Sequence, residues 1–266
     1  MAFARQRPHI GAMLPPRLIR WAFRLSLAGF LATLAVYAGL VVSIAFPAPF
    51  FAHERSGGAI TFHAEAPLPP EAARMGEEVT ALLSSAPLGP PGPVDVWLVE
   101  GGLPLRVFFS GSPRASGLTY PVASLENVFL RHADFAPNRL VRGGVAVPPP
   151  RTLSYYLVHE ITHLQLAAHV GRWRVVRMPR WISEGYADYV ALGPAPPAMI
   201  ARAEAGLPLP REVFGSYPRE RVCVTLALTH LAGGAEALFA LDAGLPTDRA
   251  CPVLPEFGIA LGPSAP

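Results

Sequence analysis

Leu25 to Phe46 is a run of 22 residues without a charge. At about 1.5 Å per residue a helix of that length spans roughly 33 Å, enough to cross a hydrocarbon core about 30 Å thick. Trp21 stands at one end, and Pro47 and Pro49 close the other. The run is longer than the apolar core of a cleavable leader, about 7–15 residues, although the Ala-rich stretch Ala45–Ala52 offers small residues for cleavage. Five arginines (Arg5, Arg7, Arg17, Arg20 and Arg24) precede it, and only Arg55 follows closely. That asymmetry predicts a cytoplasmic N-terminus, with everything from about residue 50 on the other side. The expected organisation is an Arg-rich cytoplasmic tail over residues 1–24, a transmembrane helix over 25–46 and a domain over 53–266. The expected location is a bacterial inner (cell) membrane, spanned once.

The charge balance changes meaning once that tail is set aside. All 22 basic residues are arginine, and the 242 residues after Arg24 hold 17 of them against 19 acids. The body of the chain is slightly acidic, so a nucleic-acid partner is not expected. Charged residues make up only 15% of the chain and apolar ones 51%, which excludes a disordered, charge-rich polymer. Two cysteines, Cys223 and Cys251, exclude a disulfide-dense scaffold, and a single bridge between them suits an extracytoplasmic domain.

Beyond the apolar run, strand patterns come first and helices afterwards. Strands are predicted at Ala59–His63, Val94–Val99, Leu105–Ser110, Asn127–Arg131 and Leu140–Val147. A helix fits Pro70–Ser85 before the PLGPPGP spacer. Thr152 is placed to cap a helix running to about Val170. Further helices fit Trp181–Leu192, Arg219–Leu231 and Ala235–Ala243, and the Pro-rich tail from residue 252 is expected to be irregular. The order predicts an α+β domain in two lobes with a seam near residue 171.

His159-Glu160-Ile161-Thr162-His163 spells H-E-x-x-H inside the strongest helical stretch. Positions four apart on a helix lie about 40° apart, so both imidazoles face one way. Two neutral imidazoles suit Zn²⁺, and Glu160 beside them can reach a metal-activated water without ligating. Leu157, Val158, Ile161, Leu164 and Leu166 make the segment apolar on nearly all sides, so these polar groups are buried together and need a reason.

A third ligand has two candidates. His169 completes the spacing of the metzincin pattern HExxHxxGxxH, but Leu166 stands where that pattern has the turn-making Gly. With the helix continuing, His169 lies about 240° round from His163, facing away. RMPRW around Met178 also lacks the look of the metzincin Met-turn. Glu184, 21 residues after His163 on the next predicted helix, can return antiparallel to the first. Asp188, one turn further, can accept the N–H of a ligating imidazole and fix its tautomer.

HEITH followed by WISEGYADY resembles the gluzincins, zinc metallopeptidases with HExxH and a downstream Glu, over roughly residues 150–192, and most of all the small peptidase-MA-like domains. The resemblance implies a zincin-like fold: an N-terminal lobe with a mixed β-sheet and the active-site helix, and a helical C-terminal lobe. It implies one Zn²⁺ held by His159, His163 and Glu184, with Glu160 as general base for peptide hydrolysis. It implies an edge strand, Asn127–Arg131 or Val141–Val147, that binds extended peptide by strand addition. It also implies a Tyr or His donor for the oxyanion, for which Tyr217 and His230 are available, whereas Tyr155 and Tyr156 are expected to pack. The expected partners are a peptide or protein substrate and the membrane, and without a GxMEN-type motif the chain leans to an endopeptidase. The competing expectation is a non-catalytic binding or assembly module on the same fold. An intramembrane protease is disfavoured, because the motif lies over 100 residues from the single span.

Overall fold

The structure, a computed structural model, describes residues 16–241. The chain divides into residues 1–42 and a body from Ser43 onward. Helix α1 (Pro16–Ala45) carries an apolar stretch, Arg20–Ala45, of mean hydropathy 2.2. Phe30, Leu34, Tyr37 and Val42 all stand exposed on it. A helix apolar all round with nothing of its own to cover it has the character of a membrane span or a leader. The Thr33 hydroxyl bonds within the helix, Oγ1 donating to the Gly29 carbonyl at 2.9 Å.

The body is α+β. After a short 3₁₀ turn (Ala48–Phe50), β1 (His53–Gly57) and β2 (Ile60–Ala64) form a hairpin through Gly58, whose φ of 61° suits glycine. Helix α2 (Glu71–Ser84) crosses over to β3 (Val94–Val99). Then follow α3 (Gly102–Phe108), β4 (Gly117–Thr119) and β5 (Asn127–Arg131). The five strands form one mixed sheet in the order β1-β2-β3-β5-β4, with β2, β3 and β5 parallel and the outer two antiparallel to their neighbours. Alternation sorts its side chains: Val96, Leu98, Val128 and Leu130 join the core under α2, while Trp97 and Phe129 face the aromatic group of Phe51 and Phe108. Ala72, Met75, Val79 and Leu83 put one stripe of α2 into that core. A small second sheet joins β6 (Ala133–Asp134), β7 (Arg139–Arg142) and β8 (Val145–Ala146).

The rest is helical: α4 (Leu153–Val170), α5 (Arg172–Arg177), α6 (Arg180–Leu192), α7 (Pro197–Glu204), α8 (Arg211–Phe214), α9 (Pro218–His230) and α10 (Gly234–Ala240). Two clusters of buried side chains result. One ends on α4 at Leu164, and the other takes over at Leu166 and fills the helical region. Helix α9 lies against α6 so closely that a Cβ on Gly185 would sit 2.5 Å from the Glu220 carbonyl oxygen. Cys223 on α9 is buried and disulfide-bonded. Cys251, the other cysteine of the chain, lies outside the described residues, as does the tail from residue 252.

Three strand expectations change. Leu105–Ser110 is mostly helix, α3, because Pro104 is tolerated in a first helical turn and faces inward with Phe108 four residues on. Leu140–Val147 is not one strand but the β7–β8 hairpin. Gly143 and Gly144, at φ of 59° and 79°, make the two-residue turn that alternation alone does not show. The expected edge strands are also displaced. β5 is interior, β7 and β8 belong to the small sheet, and the edge of the main sheet on this side is the three-residue β4.

Candidate metal centre

Helix α4 starts on two caps. Thr152 Oγ1 accepts from Tyr155 N at 3.2 Å, and Asn138 Oδ1 accepts from Ser154 N at 2.8 Å, so two of the amides that a helix start leaves unpaired are satisfied. The helix then runs unbroken to Gly171, with Leu166 fully buried in line. His159 and His163 share one face, and α6 brings Glu184 across to them.

Three atoms converge. His159 Nε2 and His163 Nε2 are 3.3 Å apart, and Glu184 Oε2 lies 3.2 Å from the first and 3.4 Å from the second. Ligand atoms held about 2.0–2.1 Å from a tetrahedral ion are roughly 3.3–3.4 Å apart, so this near-equilateral triangle has the size of one face of such a coordination shell. These residues form a group that could hold a metal ion. Two imidazole nitrogens and a carboxylate oxygen aimed at one point can otherwise be reconciled only by shared protons. Burial pushes the His159 imidazole down, but the Asp188 and Glu184 carboxylates outweigh it and hold the ring well above its ordinary value. Burial raises Glu184, and the two histidines overcome it and hold that carboxyl well below the usual range.

Asp188 is the fixed point behind the triangle. It is fully buried. Its Oδ1 accepts from the Tyr155 hydroxyl and lies 3.0 Å from His159 Nδ1, off the axis of a hydrogen bond. Its Oδ2 accepts from Tyr217 N at 2.7 Å. One carboxylate thereby ties α4, α6 and the residue before α9 together. Gly215, at φ of 102°, makes the turn that aims Tyr217 N back at it. Tyr155, expected only to pack, is part of this arrangement. Its role escapes a sequence reading because its partner lies 33 residues away.

The triangle opens into a cavity of about 380 Å³ whose walls include β4, Glu160, Tyr217, Val175 and Val176. Glu160 is buried beside the two histidines but is not one of the three convergent groups. Burial holds its carboxyl above the usual range, with His159 and His163 pulling it back. Its position depends on Gly117 of β4, where a Cβ would lie 2.6 Å from Glu160 Oε1. Tyr217 stacks on the His159 ring at 5.5 Å, with Arg180 5.0 Å above its own ring. Burial and then Glu184 push its phenol up, against Arg180.

The other candidates lie elsewhere. His169 is the last residue but one of α4, 3.0 Å from Glu236 of α10, and is not in the convergent group. His230 is exposed at the end of α9 and does not line the cavity. Neither Gly117 nor Arg180 was signalled by any motif. Comparison of the chain with family models, with curated proteins and with solved structures gave no match.

Proposed function

We propose that the protein is a membrane-anchored zinc peptidase of the gluzincin type. The observation that carries the proposal is the ligand triangle of His159, His163 and Glu184 with Glu160 beside it and outside it. Two histidines and a glutamate are a donor set of catalytic zinc sites, which leave a fourth position open. Zinc held there would supply a Lewis acid, polarising a substrate carbonyl and making a water acidic near neutral pH. The protein's own groups do the rest. Glu160, its proton affinity lifted by burial, takes a proton from the attacking water and hands it to the departing amide nitrogen. Tyr217 donates its hydroxyl hydrogen towards the carbonyl oxygen as negative charge builds there. The Asp188 carboxylate, 3.0 Å from His159 Nδ1, favours by its charge the tautomer that carries the proton there and presents Nε2. β4, at the sheet edge along the cavity, offers its backbone to an extended peptide.

The zincin-like fold and the anchor belong to the same proposal. A leader cut at Ala45 or just before it would take acceptors from a buried group. Asn127, 4% exposed, donates through Nδ2 to the carbonyls of Ile44 at 2.9 Å and Ala45 at 3.3 Å, and accepts from Trp97 Nε1. Stripping these acceptors from a buried amide costs on the order of 1–3 kcal/mol. The arginine asymmetry then puts the cavity on the extracytoplasmic side.

Zinc content of the full chain in detergent tests the site. About one ion per chain is expected in the wild type and in His169→Ala, and none in Glu184→Ala. Loss in His169→Ala alone would move the third ligand there. A folded wild type that takes up no metal would leave a binding module instead of a peptidase.

A further inference from the structure

A second, smaller cavity of about 170 Å³ shares Gly117, His159, Glu160 and Tyr217 of its lining with the metal cavity. The two arms differ in chemistry. The larger has Leu118, Pro121, Val175 and Val176 in its wall, whereas the smaller has Arg114, Arg142, Arg151 and Arg211. These arginines come from four separate segments: the loop before β4, the end of β7, the approach to α4 and the start of α8. No single helix face or local run places them together.

Among the described residues no carboxylate lies within 4 Å of any of the four, although Glu220 acts on Arg211 from further off. Glu160 is the one carboxylate among the described residues lining this arm. Arg142 donates through Nη1 to the backbone carbonyl of Arg114, and Arg211 stands 6.0 Å from the Tyr217 ring; among the described residues no other hydrogen bond from either side chain is seen. Arg151 is half-buried, and its Nε is buried without a partner. Arg114, Arg142 and Arg211 are exposed and Arg151 is half-buried, so water screens part of their mutual repulsion, and an anion between them would relieve the rest. The volume is below the roughly 300–1,000 Å³ of a whole small-ligand pocket and suits one side chain or chain end.

We propose that this arm is a subsite for a substrate carboxylate next to the scissile bond, supplied by an Asp or Glu side chain or by the peptide's own C-terminus. The inference rests on the peptidase reading and adds a substrate class to it. Guanidinium groups match a carboxylate with two parallel N–H donors, and a desolvated pair of this kind discriminates strongly against the isosteric amide.

The test uses the zinc-loaded full chain in detergent and quenched peptides that differ only in Glu or Gln at each position flanking the cleaved bond, with free or amidated C-termini. At one position Glu should exceed Gln by about 10–100-fold in kcat/KM, the gain of a charged over a neutral hydrogen-bonded contact. Preference for the free terminus over the amide would name the terminal carboxylate as the occupant. The ratio should fall towards one in Arg151→Gln and in the exposed Arg211→Gln, and raising salt should compress it. Peptides cleaved with no such preference anywhere would overturn the subsite and leave the peptidase standing. If nothing is cleaved, the peptidase reading fails, and binding decides the subsite by calorimetry on Glu160→Gln with N-acetyl-glutamate amide against N-acetyl-glutamine amide. Selective binding of the former, lost in Arg151→Gln, sustains it; equal or absent binding overturns it.

Discussion

Helices α1 and α4 are both apolar on nearly every side, yet they solve opposite problems. α1 keeps its large apolar side chains exposed, and its Thr33 hydroxyl bonds back onto the helix's own backbone. α4 is enclosed by the sheet on one side and α6 on the other. Thr162 repeats the inward bond, to the Val158 carbonyl at 2.7 Å, but His159, Glu160 and His163 send their polar atoms out of the helix to meet other elements. Hydropathy is therefore silent about what covers a helix. The polar groups within it are informative: satisfied internally they suit lipid, and projecting together they require a built site.

The sharpest break in that comparison comes from chemistry alone. Glu160→Gln should keep zinc and lower peptide turnover by about 10²–10⁴-fold, the usual contribution of a positioned base. Normal turnover in that variant would remove Glu160 from the reaction.

A charge placed in α1 tests the other side. Leu34→Arg should weaken membrane insertion by roughly 2.5–3.5 kcal/mol, about a hundredfold in partitioning, and leave zinc content unchanged. In the wild type, carbonate-washed membranes should retain a chain of 28.4 kDa. A product shortened near Ala45 would make α1 a leader and separate it from the body altogether.

Proton competition gives a smaller, graded effect. In the metal-free protein the Asp188 and Glu184 carboxylates keep the proton of His159 well above the ordinary histidine value. Zinc must displace that proton, so affinity should rise with pH by about tenfold per unit for each proton released, up to the raised value. Without metal the sign reverses. His159 stabilises the fold below its unfolded pKa and loses that contribution as pH rises through the folded value. A zinc affinity flat between pH 6 and 7 would contradict this account.

The mildest change is at the start of α4. Thr152→Ala should cost about 1 kcal/mol in denaturant unfolding of the body, because Tyr155 N loses its acceptor. No change at all would mean that Asn138 caps the helix unaided.

What was legible in the sequence follows the range of the signal. Val94–Val99 and Asn127–Arg131 fall on strands with the expected ends, and α4 begins on its predicted cap, because alternation, helical spacing and capping are local. The convergence of His159, His163 and Glu184 was foreseeable because two ligands sit on one helix and the third on the next. β4 was missed because three residues carry no pattern. Its importance comes from where the sheet ends, which depends on pairing with β5. The arginine cluster was invisible for the same reason: its members lie up to 97 residues apart, from Arg114 to Arg211, and only the fold gathers them.

Gly117 carries a consequence for how such a site can change over generations. The first carbon of any substitution there would lie 2.6 Å from Glu160 Oε1 and 2.7 Å from Leu130 Cδ2, so the base and a core leucine are disturbed before the ligand triangle. A single codon change could therefore part metal retention from hydrolysis. On the proposed peptidase reading, a lineage would keep the ion and the cleft, lose the reaction, and leave a receptor for the peptides its ancestor cut.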